Sequence, residues 1–299
     1  MSAAWKKRPE AGTGLGIRVM VRLALLLGRR GAQFVIAPVA LYFLLVRTVE
    51  RRASRKFLSV ALGRSATWLD VYRHFYTFAR VTVDRVYFAG GRSTAVPVAE
   101  FHTELLEELS SDEHGGIFLA AHMGSFEVAR SIASDQSNLL VRIVLDRAVN
   151  KRFIEMLESF SPQFAAGIID LNQHKADLGV VIAQSLQKGG WVGFLADRYM
   201  PGDRFANVRF FERRAKLPLG PFIIGAVLHS RIVCVFTVYR EGRYEVYCEE
   251  LSDRLVVPRK NREEELAALV QQYAGRLEHY ARLAPYSWFN FYDFWEDAE

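Results

Sequence analysis

Gly115-Gly116-Ile117-Phe118-Leu119-Ala120-Ala121-His122-Met123-Gly124-Ser125-Phe126-Glu127 reads as a buried strand running into a tight turn and then a helix. The same punctuation continues downstream. A strand over 139–145 precedes a helix over 151–160, and a short strand at 168–169 precedes a helix over 175–187. Further strands fall at 191–195, 232–239 and 244–248, while 66–86 and 98–109 carry apolar residues at helical spacing. Strands alternating with helices predict an α/β fold: a mixed, largely parallel central sheet flanked by helices. In such sheets ligands gather beyond the carboxyl ends of the strands, which is where His122 stands.

Upstream of this body the chain changes character. Residues 1–64 hold thirteen basic and two acidic side chains, whereas the remaining 235 hold 26 basic and 31 acidic. The positive charge therefore sits in an apolar head and not on the body, which argues against nucleic acid as a partner and for an anionic membrane surface. After Trp5-Lys6-Lys7-Arg8, the segment 17–46 is apolar but interrupted by Arg18, Arg22, Arg29 and Arg30, and its longest uncharged run, 31–46, is sixteen residues. A bilayer-spanning helix needs about 20, and Pro38 is expected to bend or interrupt a helix passing through it. Two short helices lying in or dipping into one leaflet fit better, flanked by Arg47, Arg51, Arg52, Arg55 and Lys56. The short run 23–27, with no small-residue cleavage site after it, does not read as a cleaved leader. The parse is a membrane-associating helical segment over 1–64 and one catalytic-type domain over 65–299. Cys234 and Cys248 lie in strand-like runs with no metal-ligand spacing, as expected of buried thiols in a reducing compartment.

His122 and Glu127 form a His-x4-Glu pair, but so do His102 and Glu107. Within a regular helix, residues five apart are rotated about 140° from one another, so His102 and Glu107 face different ways. His122 instead precedes the helix through Gly124, with Ser125 as an N-cap, so its ring can fold back towards a carboxylate in the first turn. A carboxylate that fixes an imidazole tautomer makes a base-and-orienter pair, and the alternative for His122 is a strand-end histidine that only hydrogen-bonds backbone. There is no Gly-x-Ser-x-Gly elbow and no cysteine beside the pair, so a nucleophile would come from a substrate hydroxyl.

The segment Ala120-Ala121-His122-Met123-Gly124-Ser125-Phe126-Glu127 resembles the His-x4-Asp/Glu motif of the lysophospholipid acyltransferase superfamily, in particular the bacterial branch of lipid A secondary, or late, acyltransferases. The resemblance extends in order along the chain. It takes in the apolar head, the strand ending in Asp197-Arg198, the run Pro218-Leu219-Gly220-Pro221, the strand 232–239 and the aromatic stretch Trp288 to Trp295. One departure is the charged run Glu212-Arg213-Arg214 after Phe210-Phe211, where the family tends to place a glycine.

The resemblance implies a glycerolipid acyltransferase-like fold and a membrane-associated O-acyltransferase at the cytoplasmic face of a bacterial inner membrane. The enzyme would move a fatty acyl group from an acyl thioester to a hydroxyl of a lipid or glycolipid acceptor. Acyl carrier protein is favoured over coenzyme A as the donor's carrier, and no cofactor or metal is implied. Carried over by position, His122 is the general base and Glu127 its orienting partner, with Gly124, Ser125, Asp197 and Arg198 as substrate-contacting positions. Arg198, whose planar guanidinium suits phosphate or thioester oxygens, is read at the pocket rim with Asp197, the alternative being a structural ion pair. Two other readings are a non-catalytic lipid-binding protein of the same fold and an acyl-thioester hydrolase.

Overall fold

The computed structural model describes residues 14–89, 96–101, 104–110, 114–137, 139–148, 165–172, 175–199 and 202–295, together with residues 151, 154, 155 and 158. The cluster Trp5 to Arg8, the residue His102 and most of the helix expected over 151–160 lie outside the described residues. The side chains of Arg18, Arg22 and Arg30 do so too.

The chain opens with three helices, α1 (Gly14–Val46), α2 (Thr48–Ala61) and α3 (Trp68–Ala89). Then follow β1 (Val98–Phe101), α4 (Glu104–Ser110), β2 (Gly116–Ala120), α5 (Phe126–Ser137), β3 (Val141–Leu145), β4 (Ile168–Asp170), α6 (Lys175–Gln187) and β5 (Trp191–Leu195). The hairpin β6 (Phe205–Phe210) and β7 (Arg213–Pro218) leads into α7 (Gly220–Leu228), β8 (Arg231–Arg240), β9 (Arg243–Ser252) and the long helix α8 (Arg262–Leu283). Seven strands form one sheet in the order β1-β9-β8-β2-β5-β3-β4, in which only β8 and β9 pair antiparallel. This is the mixed, largely parallel α/β sheet expected.

The two faces of the sheet bury different sets of side chains because successive residues of a strand point to opposite sides. Ile117 and Leu119 of β2, with Cys234 and Phe236 of β8, face Ile182 of α6, Phe222 of α7 and Val270, Tyr273 and Leu277 of α8. Phe118 and Ala120, with Val233 and Val235, face Val128 and Ile132 of α5, Leu106 of α4 and Val81 of α3. β2 is buried at all five positions, as a central parallel strand must be.

The head packs on this body. Ala32, Ile36, Ala40 and Leu44 recur every four residues on one buried stripe of α1, and Phe57 and Leu58 of α2 are fully covered. Arg29 makes a bidentate pair with the buried Asp84 of α3 at 3.0 Å on each arm. The outward side of the same helices is apolar as well. Phe34 is 81% exposed, and Leu41, Tyr42, Leu45, Val46 and Val49 are exposed beside Trp68 and Leu69. Among the described residues no single helix is long and apolar enough to cross a membrane. The segments Gly31–Val46 and Thr48–Ala61 meet at 98°.

Two local expectations are corrected. Helix α1 runs through Pro38, and its break lies at Gly28, which adopts φ 69, ψ 174, a conformation that costs glycine little. The helix expected over 98–109 divides: Val98–Phe101 pairs in parallel with Tyr244–Tyr247 of β9, and only Glu104–Ser110 is helical. Pairing with a partner far along the chain overrides the local period there. The hairpin β6–β7 and helix α8 complete elements that the strand-helix alternation did not assign.

Candidate active site

β2 and β5 are neighbours with Ala120 opposite Leu195, so two further residues along each bring His122 and Asp197 side by side beyond the strand ends. Asp197 holds His122 twice. Its Oδ1 is 2.7 Å from the ring Nδ1, and its Oδ2 accepts the His122 backbone N–H at 3.1 Å. Oδ2 also accepts the Trp288 indole N–H at 2.9 Å. Asp197 is 1% exposed. Burial alone would raise its pKa, but the neighbouring His122, Arg198 and Trp288 outweigh that cost and hold the carboxyl well below the usual carboxylate range.

An ionised carboxylate can only accept, so Nδ1 of His122 carries the hydrogen and the neutral ring presents the lone pair of Nε2. Burial, with the positive charges of Arg198 and Arg85 nearby, lowers the His122 pKa against the pull of Asp197, so the imidazole is neutral near pH 7. This is the tautomer and charge state of a general base.

Glu127 does not hold His122. Its Oε2 accepts the Ser125 hydroxyl at 2.6 Å and lies 3.3 Å from Nε of Arg85 on α3. The reason is the turn. Gly124, at φ 52, presses so closely on β8 that a Cβ there would stand 2.1 Å from the Thr237 carbonyl, and its N–H donates to Ser287 O at 2.9 Å. The loop thereby carries the His122 ring towards β5, while Glu127 is held in the first turn of α5, 6% exposed. The Ser125 hydroxyl donates to Glu127, and the Ser125 carbonyl accepts the Val128 N–H.

Arg198 stands beside the pair without joining Asp197 in a hydrogen bond. Its Nη2 donates to Phe289 O at 2.8 Å, its guanidinium lies 5.5 Å from the Tyr292 ring, and its Nε is buried with no acceptor among the described residues. The stretch 285–292 is thus a third wall of the site: Phe289 N donates to His122 O at 2.8 Å, and Met123 bridges Trp288. His122, Gly124, Ser125, Glu127, Asp197 and Arg198 are gathered at one place, with Asp197 as the partner of His122.

Cys234 and Cys248 are buried, and burial pushes both thiols up to about 12, so neither is a nucleophile at neutral pH.

Arg85 is a site residue that the sequence does not single out, and Trp288 enters the sequence reading only as the start of the aromatic stretch 288–295. A signal for Asp197 was present in two similar strand ends, Phe118-Leu119-Ala120-Ala121-His122 and Phe194-Leu195-Ala196-Asp197. Adjacent parallel pairing turns that likeness into contact.

A family model described as bacterial lipid A biosynthesis acyltransferase matches residues 6–296. No curated protein matches the chain.

Proposed function

The chain belongs to the bacterial lipid A biosynthesis acyltransferase family and is an acyltransferase of lipid biosynthesis; from that premise we propose that His122 is its general base and that the acyl acceptor is a hydroxyl on a lipid or glycolipid. The observation that carries the assignment is the 2.7 Å contact of His122 Nδ1 with Asp197, which leaves Nε2 as the basic nitrogen. Nε2 takes the acceptor hydroxyl proton as the oxygen attacks the thioester carbonyl carbon. The tetrahedral intermediate then expels the thiolate, which takes the proton back from the imidazolium, giving an ester and a free thiol. Asp197 supports the transient positive charge on the ring. The free Nε–H of Arg198 suits the carbonyl oxygen that becomes negative in the intermediate. Glu127, through Ser125 and Arg85, shapes the same wall.

The donor is read as an acyl thioester of acyl carrier protein in preference to coenzyme A. The place of work is read as the cytoplasmic face of a bacterial inner membrane, with residues 1–64 as the membrane-associating segment and 65–299 as the acyltransferase domain. The apolar outer side of α1 beside exposed Arg52 and Arg55 supports that reading.

Wild-type and His122→Ala protein, incubated in native bacterial lipid extract with each thioester, are compared by lipid mass. An added acyl mass with wild type alone supports the reading and identifies donor and acceptor. Equal products from the folded variant remove His122 from the mechanism. Thioester loss without a new lipid mass identifies a hydrolase, and an intact thioester with lipid bound identifies a binding protein.

A further inference from the structure

The carboxylate that holds His122 is itself held from behind, by a chain of contacts leading back to the head. His74 of α3 is fully buried. Its Nε2 lies 2.9 Å from the Trp288 carbonyl oxygen and its Nδ1 2.8 Å from the Ser54 hydroxyl on α2. Burial lowers its pKa to about 4, so the ring is neutral at pH 7. A carbonyl only accepts, so Nε2 carries the hydrogen, and Ser54 must donate to Nδ1. The His74 ring stacks on Phe291 at 4.5 Å and Phe289 at 6.2 Å, and Phe57 of α2 packs edge-on against the Trp288 indole at 4.9 Å. Lys56 of α2 pairs with Asp293 at 2.7 Å, which fixes the far end of the same stretch. Trp288 is therefore held at its backbone by His74 and at its ring by Phe57. Its single N–H is delivered to Asp197 Oδ2, the oxygen that does not face the imidazole ring.

We propose that Trp288 and His74 are positioning residues for acyl transfer: the Trp288 indole N–H fixes the rotation of the Asp197 carboxylate so that Oδ1 faces His122, and His74 fixes Trp288 against α2. Oδ2 also takes the His122 backbone N–H, at the longer distance of 3.1 Å; the indole adds a shorter bond from a separate wall of the site, which narrows the carboxylate to one orientation that the imidazole inherits. This inference rests on the reading of His122 as the base. The charged groups around that ring are Asp197 and Arg198 after β5, Arg85 on α3, and Glu127 on α5, which acts through Arg85.

The test measures kcat, KM for the acyl thioester and the pH profile of kcat/KM in the full chain with native lipid extract. It compares wild type with Trp288→Phe, His74→Leu, His74→Gln and His122→Ala, each corrected for its folded fraction. Trp288→Phe removes the N–H and leaves Asp197 a stronger acceptor for the imidazolium. Its kcat is expected to fall about 10-fold with KM within about twofold, and the acid limb of the profile to move upward by about half a unit. His74→Leu is expected to lower kcat in the same sense. His74→Gln, which keeps an N–H for the Trp288 carbonyl, restores it to within about threefold of wild type. A merely structural role would lower the folded fraction without moving the limb.

If Trp288→Phe does not fold, the two His74 variants decide. Unchanged kcat and profile in folded Trp288→Phe, or in His74→Leu, alongside an inactive His122→Ala, overturns the positioning role alone. An active His122→Ala overturns the base reading, and the positioning role with it.

Discussion

The Trp288 indole and the His122 ring are bound to the same carboxylate, the indole to Oδ2 of Asp197 at 2.9 Å and the ring to Oδ1 at 2.7 Å, with the His122 backbone N–H also on Oδ2. The wall that carries Trp288 also accepts and donates backbone hydrogen bonds at Gly124 and His122, so strand ends, turn and wall fix one another. What distinguishes the two acidic residues near His122 is therefore geometric: Asp197 reaches the ring nitrogen, and Glu127 reaches Ser125 and Arg85.

Asp197→Asn keeps the volume but replaces an acceptor by an amide that can donate to Nδ1, favouring the tautomer in which Nε2 carries the hydrogen. Acyl transfer is expected to fall roughly 10²- to 10⁴-fold in a folded protein. Glu127→Gln retains an oxygen for Ser125 and is expected to cost about 10-fold or less. Steady-state rates of the two variants, measured side by side, check the order. A larger loss at Glu127 would return the orienting role to it.

Much of this was legible in the sequence, and the exceptions have physical reasons. Strand β2, its turn and helix α5 followed from a run of apolar residues ending at His122 and a glycine before a helix start. Periodicity assigned β5 over Trp191–Leu195 and α6 over Lys175–Gln187 with the bounds they have. Strand order is not a local property, however, and the partnership of His122 with Asp197 exists only because β5 lies beside β2 and parallel to it. The local spacing favoured Glu127 because a ring can reach one turn ahead, and the constriction at Gly124 against Thr237 is a long-range fact. Val98–Phe101 has helical spacing yet pairs as a strand for the same reason, since its partner is about 145 residues away. Trp288 and Phe57 look like ordinary core aromatics until their neighbours are known.

His74 is buried neutral with its pKa lowered to about 4, below the ordinary value of 6.5. Between those two values the unfolded chain binds a proton that the folded chain does not, so stability rises with pH there. The contribution is fully present above pH 6.5 and is lost as pH falls towards 4, amounting to roughly 3 kcal/mol. His74→Gln has no such proton to bind. Urea unfolding of both proteins at pH 7 and pH 4 should show the wild type losing more stability across the interval by about that amount. Parallel losses would show that His74 does not titrate in this range.

The β6–β7 hairpin turns on Phe211 and Glu212, at φ 51 and 61, where the flanking pair Phe210 and Arg213 leaves two residues for the loop. Two left-handed positions in a two-residue loop favour glycine, asparagine or aspartate. Glu212→Gly is expected to raise stability by about 1 kcal/mol, read as a higher midpoint in thermal or denaturant unfolding. The exposed Arg209–Glu212 ion pair that it removes is worth little at a surface. A lowered midpoint would show that the pair outweighs the strain.

Arg52 and Arg55 are exposed on α2, next to the apolar outer side of α1. If this face rests on an anionic bilayer, reversing both charges to Glu weakens binding to phosphatidylglycerol-containing vesicles by at least about 10-fold, with a weaker salt dependence than wild type. Co-sedimentation with vesicles at low and high salt checks this. Equal binding by both proteins would move the contact elsewhere.

The wall at residues 285–292 has a consequence for the order in which the enzyme becomes competent during synthesis. Helices α1 and α2 and strand β2 leave the ribosome long before Trp288 does, and so does Asp197. A nascent chain can therefore display its head while the histidine still lacks the indole that steadies its acidic partner. The late aromatic segment has to thread back between α3 and the strand ends before the Asp197 carboxylate gains its indole donor, so the part of the described site that is made last is also the part that completes it.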